Sequence, residues 1–319
     1  MGKFKKPLQP LIMLHKIYLP FSEDMLKQHF VQSDKDLDNI DKHIDKYKKS
    51  IENYELYETK KPFDKDLRLI RQIEKDETFW TASSLMTMFH SPNRNSELQR
   101  LFKLAFGEKP PLDNISNWED CLNGELHLFF EPNIPSPKEY LDWLKGNVTV
   151  QNFIPYIIDK AQNKKGNYRS DLEGATNVDA LLINSTNGFA VFIEAKVLSD
   201  ISYQVSYDSM RNQIIRNIDV MLSSNNDLTV PLNKRLPDNS LFLLLTPQLF
   251  KDNPRTRLYG YTFMDYKNNS QLIGNDLAHR KLNPTDCEKI AKRIGWISWE
   301  DLKLINDDCC KWIKTKICP

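Results

Sequence analysis

The stretch Asn177–Asp200, "NVDALLINSTNGFAVFIEAKVLSD", constrains this chain more than any other. Two short apolar runs flank a Ser-Thr-Asn-Gly turn, which reads as a β-hairpin. Inside the runs stand Asp179, Glu194 and Lys196. With Ser185–Gly188 as the loop, Asp179 falls opposite Glu194. With Asn187-Gly188 alone as the turn, Asp179 falls opposite Lys196 and diagonal to Glu194. Both registers put the three charges on one face, because paired residues share a face and so do residues i and i+2.

Two buried carboxylates on adjacent strands would each cost several kcal/mol, and one lysine offsets only part of that. A divalent cation supplies the rest. Mg²⁺ takes hard oxygen ligands at about 2.1 Å and keeps water or phosphate oxygens in its other positions. Asp179 and Glu194 are the expected ligands, with the backbone carbonyl of Ala195 as a further one. Mn²⁺ is an alternative ion. Such a site suits phosphate-ester hydrolysis: the ion activates water and stabilises charge at phosphorus, and Lys196 orients the attacking oxygen or shields developing charge.

The rest of the chain sets the frame. Its 319 residues include 44 Lys plus Arg against 43 Asp plus Glu. There is thus no global basic signal, and any nucleic-acid contact must come from a local cleft. No apolar run approaches a membrane span of roughly 20 residues, and the N-terminus lacks the long apolar core of a signal peptide. The five cysteines form no C-x-x-C pair, which argues against zinc and for reduced thiols in a cytoplasmic protein.

Residues 1–130 read as a mainly helical region for recognition, partner binding or dimerisation. Leu37, Ile40, Ile44, Tyr47, Ile51 and Tyr54 make one helical stripe. Helices are expected over "TASSLMTMFH" and "NSELQRLFKLAF", with a break at Pro110-Pro111. Three prolines between Glu131 and Lys138 mark the expected boundary to a second domain, residues 131–319. There "VQNFIPYIIDKAQ" reads as a helix burying Phe153, Ile154, Ile157 and Ile158. Tyr203, Tyr207, Met210, Ile214, Ile218 and Met221 form another stripe, "SLFLLLTP" a buried strand, and the last segments two closing helices. His127 and His279 read as structural. The order from about residue 135 is helix, strand, strand, helix, strand, helices: an α/β arrangement with a mixed sheet.

On Val178-Asp179 and Glu194-Ala195-Lys196 the chain resembles the PD-(D/E)XK nucleases, the restriction-endonuclease-like superfamily. Val178 stands where proline is common. The resemblance covers about residues 150–250 and implies a mixed sheet flanked by helices, with Asp179 and Glu194 holding Mg²⁺ and Lys196 assisting the water. It implies hydrolysis of DNA phosphodiester bonds, in restriction or defence against foreign DNA, with a homodimer as one way to cut both strands. A nuclease-fold protein that binds nucleic acid or a protein without chemistry is the alternative. Many members add an acid from the first core helix. Gln151 or Asn152 occupies the place expected for it here, with Asp159, Asp171 and Glu173 as substitutes and Glu173 ranked first. Arg211, Gln213 and Arg216 are candidate nucleic-acid contacts.

Overall fold

The computed structural model describes residues 13–15, 19–30, 40–45, 47–48, 75–201, 207–208, 211–224 and 226–313. In the first part of the chain, β1 (Met13–His15) pairs with β2 (Leu19–Ser22), and α1 (Glu23–Lys27), α2 (Glu77–Phe89), α3 (Arg94–Phe106) and α4 (Trp118–Leu122) follow. Then come β3 (Leu126–Phe130), β4 (Asn133–Ile134), α5 (Lys138–Gln151), α6 (Pro155–Ala161), β5 (Thr176–Asn177), β6 (Ala180–Asn184) and β7 (Ala190–Ala195). The chain continues through α7 (Gln213–Met221), β8 (Ser240–Thr246), α8 (Gln248–Asp252), α9 (Leu258–Asn268), α10 (Gln271–Asp276), α11 (Pro284–Lys292), β9 (Ile294–Ser298) and α12 (Trp299–Ile305).

Five strands form the main sheet in the order β3-β6-β7-β8-β9. The β3–β6 and β6–β7 pairs are antiparallel, while β7–β8 and β8–β9 are parallel. Every residue of β8 is buried, as a central strand covered on both faces requires. Alternation along it divides the core. Leu241, Leu243 and Leu245 face the layer built by Phe79, Leu101, Phe102 and Trp299. Phe242 and Leu244 face the layer of Ile214, Ile218, Tyr259 and Phe263. The fold class is therefore α/β, a mixed sheet with helices on both faces.

The division at residue 130/131 does not fall between two cores. β3 lies before it and pairs with β6 from Leu126↔Asn184 to Phe130↔Ala180, and α2 and α3 pack on the same sheet. The apolar run Leu126–Phe130 is an edge strand inside the region read as helical. Ile294–Ser298 likewise forms a fifth strand where the sequence suggests two helices in succession. The two closing helices flank it, and Ser298 caps α12 by accepting a bond from the Asp301 amide.

Of the N-terminal stripe, Ile40, Ile44 and Tyr47 are buried; Leu37, Ile51 and Tyr54 lie outside the described residues, as do Tyr203 and Met210. The helix expected over "VQNFIPYIIDKAQ" is two pieces. α5 runs to Gln151 and α6 begins at Pro155. Phe153 and Ile154 sit at the break, 84% and 59% exposed, and do not form a buried face. Among the described residues, no helix is long and apolar enough to cross a membrane.

Candidate active site

The hairpin takes the longer of the two possible loops. Ile183 pairs with Ala190, the Asn184 amide donates to the Phe189 carbonyl at 2.8 Å, and Gly188 closes the turn onto the Asn184 carbonyl. Gly188 has φ +72°, in the left-handed region that glycine adopts without strain. Carrying this register to the end of β6 sets Asp179 opposite Glu194, and the side chains meet there. The Ala195 N–H donates to Asp179 Oδ2 at 2.8 Å. Lys196 Nζ lies 2.5 Å from Glu194 Oε1. The sequence-predicted trio therefore converges, with Ala195 in its middle.

Two further residues complete the group. Glu77, the first residue of α2, places Oε2 3.9 Å from Lys196 Nζ. Its Oε1 accepts from the Val197 amide at 3.1 Å and from the Ser199 hydroxyl. Asn217 on α7 donates from Nδ2 to Glu194 Oε2 at 2.9 Å, so both oxygens of Glu194 are engaged. The Trp299 indole donates to the Lys196 carbonyl at 2.9 Å and fixes the backbone behind the lysine. Glu77 is an acid from a helix that precedes the sheet, the role for which Glu173 ranked first. Glu173 instead pairs with Arg211 Nε at 3.0 Å and Arg216 Nε at 3.2 Å. The sequence offered one signal for Glu77, an acid at the N-terminus of a helix capped by Asp76; it offered none for Asn217.

The expected nucleic-acid contacts are also placed differently. Arg211 is fully buried, with Nη2 2.9 Å from Asp219 Oδ2 and its guanidinium 3.5 Å over the Tyr140 ring. It cannot reach a phosphate. Arg216 is tied to Glu173, and Gln213 opens α7. Asp219 also takes His279 Nε2 at 3.0 Å and Arg280 Nε at 2.6 Å. Burial alone would raise its pKa, but these donors hold it down at about 2. His279 is a structural partner in that network, and His127 bonds Ser185 Oγ.

Electrostatics set the three-acid group apart. Burial, with repulsion from Glu194, drives the Asp179 carboxyl well above its ordinary value. Burial raises Glu194 as well, although Lys196 and Asn217 oppose the rise. For Lys196 burial disfavours the charge, yet the carboxylates of Glu194, Asp179 and Glu77 outweigh it and its pKa rises. Three carboxylates around one ammonium leave a deficit of positive charge.

Beside Asp179 lies a cavity of about 80 Å³, lined by Tyr47, Glu77, Thr81, Phe130 and Glu131 among others. It has room for roughly two waters. Among the described residues the buried Tyr47 hydroxyl has no hydrogen-bond partner. Glu131 forms part of the wall in a strained conformation, φ +50°, with its N–H on the Asp179 carbonyl. Among the described residues no three Asp, Glu, His or Cys side chains have the spacing of a metal centre. The physical reason is the pairing of Glu194 with Lys196 and Asn217, and of Glu77 with Val197 and Ser199. The donor set still fits a hard divalent cation: it is all oxygen and short of positive charge, with an orphaned hydroxyl at an adjoining cavity.

A raised Asp179 pKa means that the native state binds a proton more tightly than the unfolded chain. Its stabilisation is complete below about pH 4, the unfolded value, and is lost as pH rises through the native value. In metal-free buffer Asp179→Asn should therefore raise Tm at pH 8 by about 2–4 °C, with little change at pH 4. Calorimetry in EDTA at both values checks this. Equal shifts at the two pH values would remove the link to ionisation.

Compared with protein-family models, with curated proteins and with solved structures, the chain matches none of them.

Proposed function

We propose that this chain is a Mg²⁺-dependent nuclease of the restriction-endonuclease-like class that hydrolyses DNA phosphodiester bonds, in restriction or defence against foreign DNA. The observation that carries the reading is the meeting of Glu77, Asp179, Glu194 and Lys196 at one end of β6 and β7. The element order agrees with it: α2 precedes three antiparallel strands, and α7 lies between β7 and the parallel β8. In this reading Asp179 and Glu194 hold the ion, with Glu77 and the Ala195 carbonyl beside it, and Mn²⁺ can replace Mg²⁺. The bound ion supplies Lewis acidity and a water of lowered pKa. Lys196 carries its positive charge to the attacking oxygen and the phosphate. Asn217 holds Glu194 in orientation while the lysine moves, and Trp299 keeps the lysine backbone in place.

One observation favours a second reading, a nuclease fold that binds without chemistry. Glu194 is fully buried and Lys196 nearly so, each closed on the other. The two readings part in one experiment. Purified protein is incubated with plasmid, single-stranded DNA and RNA in Mg²⁺, Mn²⁺ or EDTA, beside Asp179→Ala and Lys196→Ala. The catalytic reading expects EDTA-sensitive cleavage that both substitutions abolish. It also expects Mg²⁺ to raise the Tm of the wild type and not of Asp179→Ala, by the linkage of ligand to the folded state. DNA binding without cleavage, and with no metal-dependent Tm shift, would establish the second reading.

A further inference from the structure

Between β4 and β5 the chain makes an excursion that begins and ends at the candidate site. Asn133 pairs with Asn177 and Ile134 with Thr176. At the base of this ribbon the Glu131 amide bonds the Asp179 carbonyl at 3.2 Å, and the Val178 amide bonds the Pro132 carbonyl at 3.1 Å. The excursion has its own small core of Tyr140, Leu144, Val148, Ala161 and Leu172. It is anchored through the Tyr140 hydroxyl on Asp208 at 3.1 Å and through Arg211 stacked on the Tyr140 ring.

Its outer end is built the opposite way. Val150, Phe153, Ile154 and Tyr156 are 63%, 84%, 59% and 70% exposed, a grouping that soluble chains seldom leave uncovered. After α6, Asn163 organises a turn. Its Oδ1 accepts from the Lys165 and Asn167 amides, and Gln162 bridges to Tyr168. Lys160, Lys164 and Lys165 are exposed there. Residues 153–169 carry Lys160, Lys164, Lys165 and Arg169 against one carboxylate, Asp159; Arg169 is paired with Asp171, which leaves the three lysines as the local excess. Exposed rings beside a row of lysines match a polyanion with free π-faces: unpaired bases stack on the rings while their phosphates meet the ammonium groups.

We propose that this excursion is the grip for single-stranded DNA, with Phe153 and Tyr156 as the stacking platform and Lys160, Lys164 and Lys165 as the phosphate contacts. The proposal rests on the nuclease reading for the strand's delivery to the site at the base of the excursion, and it refines the substrate to a strand with unpaired bases. It also moves the phosphate contacts from the buried Arg211 to the exposed lysines.

The test is binding of the full chain in EDTA to a labelled oligo-dT 20-mer and to a duplex of equal length, read by fluorescence anisotropy. Phe153→Ala with Tyr156→Ala should weaken single-strand affinity by at least about 30-fold. Lys160→Gln with Lys164→Gln and Lys165→Gln should lower the slope of log affinity against log salt by about 2. All five side chains are exposed, and unchanged thermal melting verifies the fold. Metal-dependent hydrolysis of bis(p-nitrophenyl) phosphate, too small to span the grip, should survive in both variants. Variants that bind the oligomer like the wild type would overturn the proposal, as would a wild type that binds no single strand or prefers the duplex. So would a dimeric wild type that Phe153→Ala with Tyr156→Ala renders monomeric without loss of DNA affinity. Loss of binding in the variants, in a protein that hydrolyses nothing, upholds the grip and sinks the nuclease reading alone.

Discussion

Glu77→Gln is expected to lower metal-dependent DNA cleavage by about 10²–10³-fold, whereas Glu173→Gln leaves it within a few-fold of wild type. The amide keeps the size of the side chain and the N-terminal position on α2 but removes a full negative charge beside Lys196 and, in the nuclease reading, beside the cation. A loss of that size is typical when one electrostatic group is removed from a preorganised site. Glu173 faces Arg211 and Arg216, away from the acids, so its effect should fall on stability. The check is a single-turnover cleavage series in Mg²⁺ for the two variants, with folding verified by near-ultraviolet circular dichroism. If Glu77→Gln cleaves at the wild-type rate, the site is complete with Asp179 and Glu194 alone.

Arg211→Met is expected to destabilise the protein by about 3 kcal/mol, the lower end of the cost of breaking a buried ion pair. The Asp219 side chain is fully buried and that of Glu173 nearly so, and both lose a donor in the variant. Arg280 and His279 remain on Asp219 and Arg216 on Glu173, which keeps the loss from being larger. The stacking on Tyr140 is also lost. Urea denaturation should show the midpoint falling with little change in slope. Lys160→Met, an exposed cation removed, serves as the control and should stay within about 0.5 kcal/mol. A midpoint unchanged in Arg211→Met would mean that the network contributes orientation and not stability.

What could be read from the sequence follows from the range of each interaction. Asp179, Glu194 and Lys196 lie on two consecutive strands, so strand alternation and a tight turn suffice to bring them together. Their convergence was legible under either register. Glu77 stands 102 positions before Asp179, and its approach depends on α2 packing across the sheet, which no local pattern encodes. Asn217 is polar on an otherwise apolar helix face, a clue only once that face is known to lie over Glu194. Leu126–Phe130 shows why β3 was hidden: a short continuous apolar run fits a buried strand or a helix segment equally. The break at Asn152–Ile154 has the same lesson in reverse. Apolar spacing across "NFIPYII" fits a buried helical face, yet only Ile157 packs against the small core while Phe153, Ile154 and Tyr156 are left exposed, and sequence spacing has no term for what an apolar stripe will meet.

The bond from the Trp299 indole to the Lys196 carbonyl ties together residues 103 positions apart. A chain emerging from the ribosome would display the acids of the hairpin long before that tether could form. During translation the lysine would stand without its rear support, and a catalyst of this design would gain its competence late. In the nuclease reading proposed above, activity would therefore wait until residue 299 has left the ribosome and its indole has reached the Lys196 carbonyl.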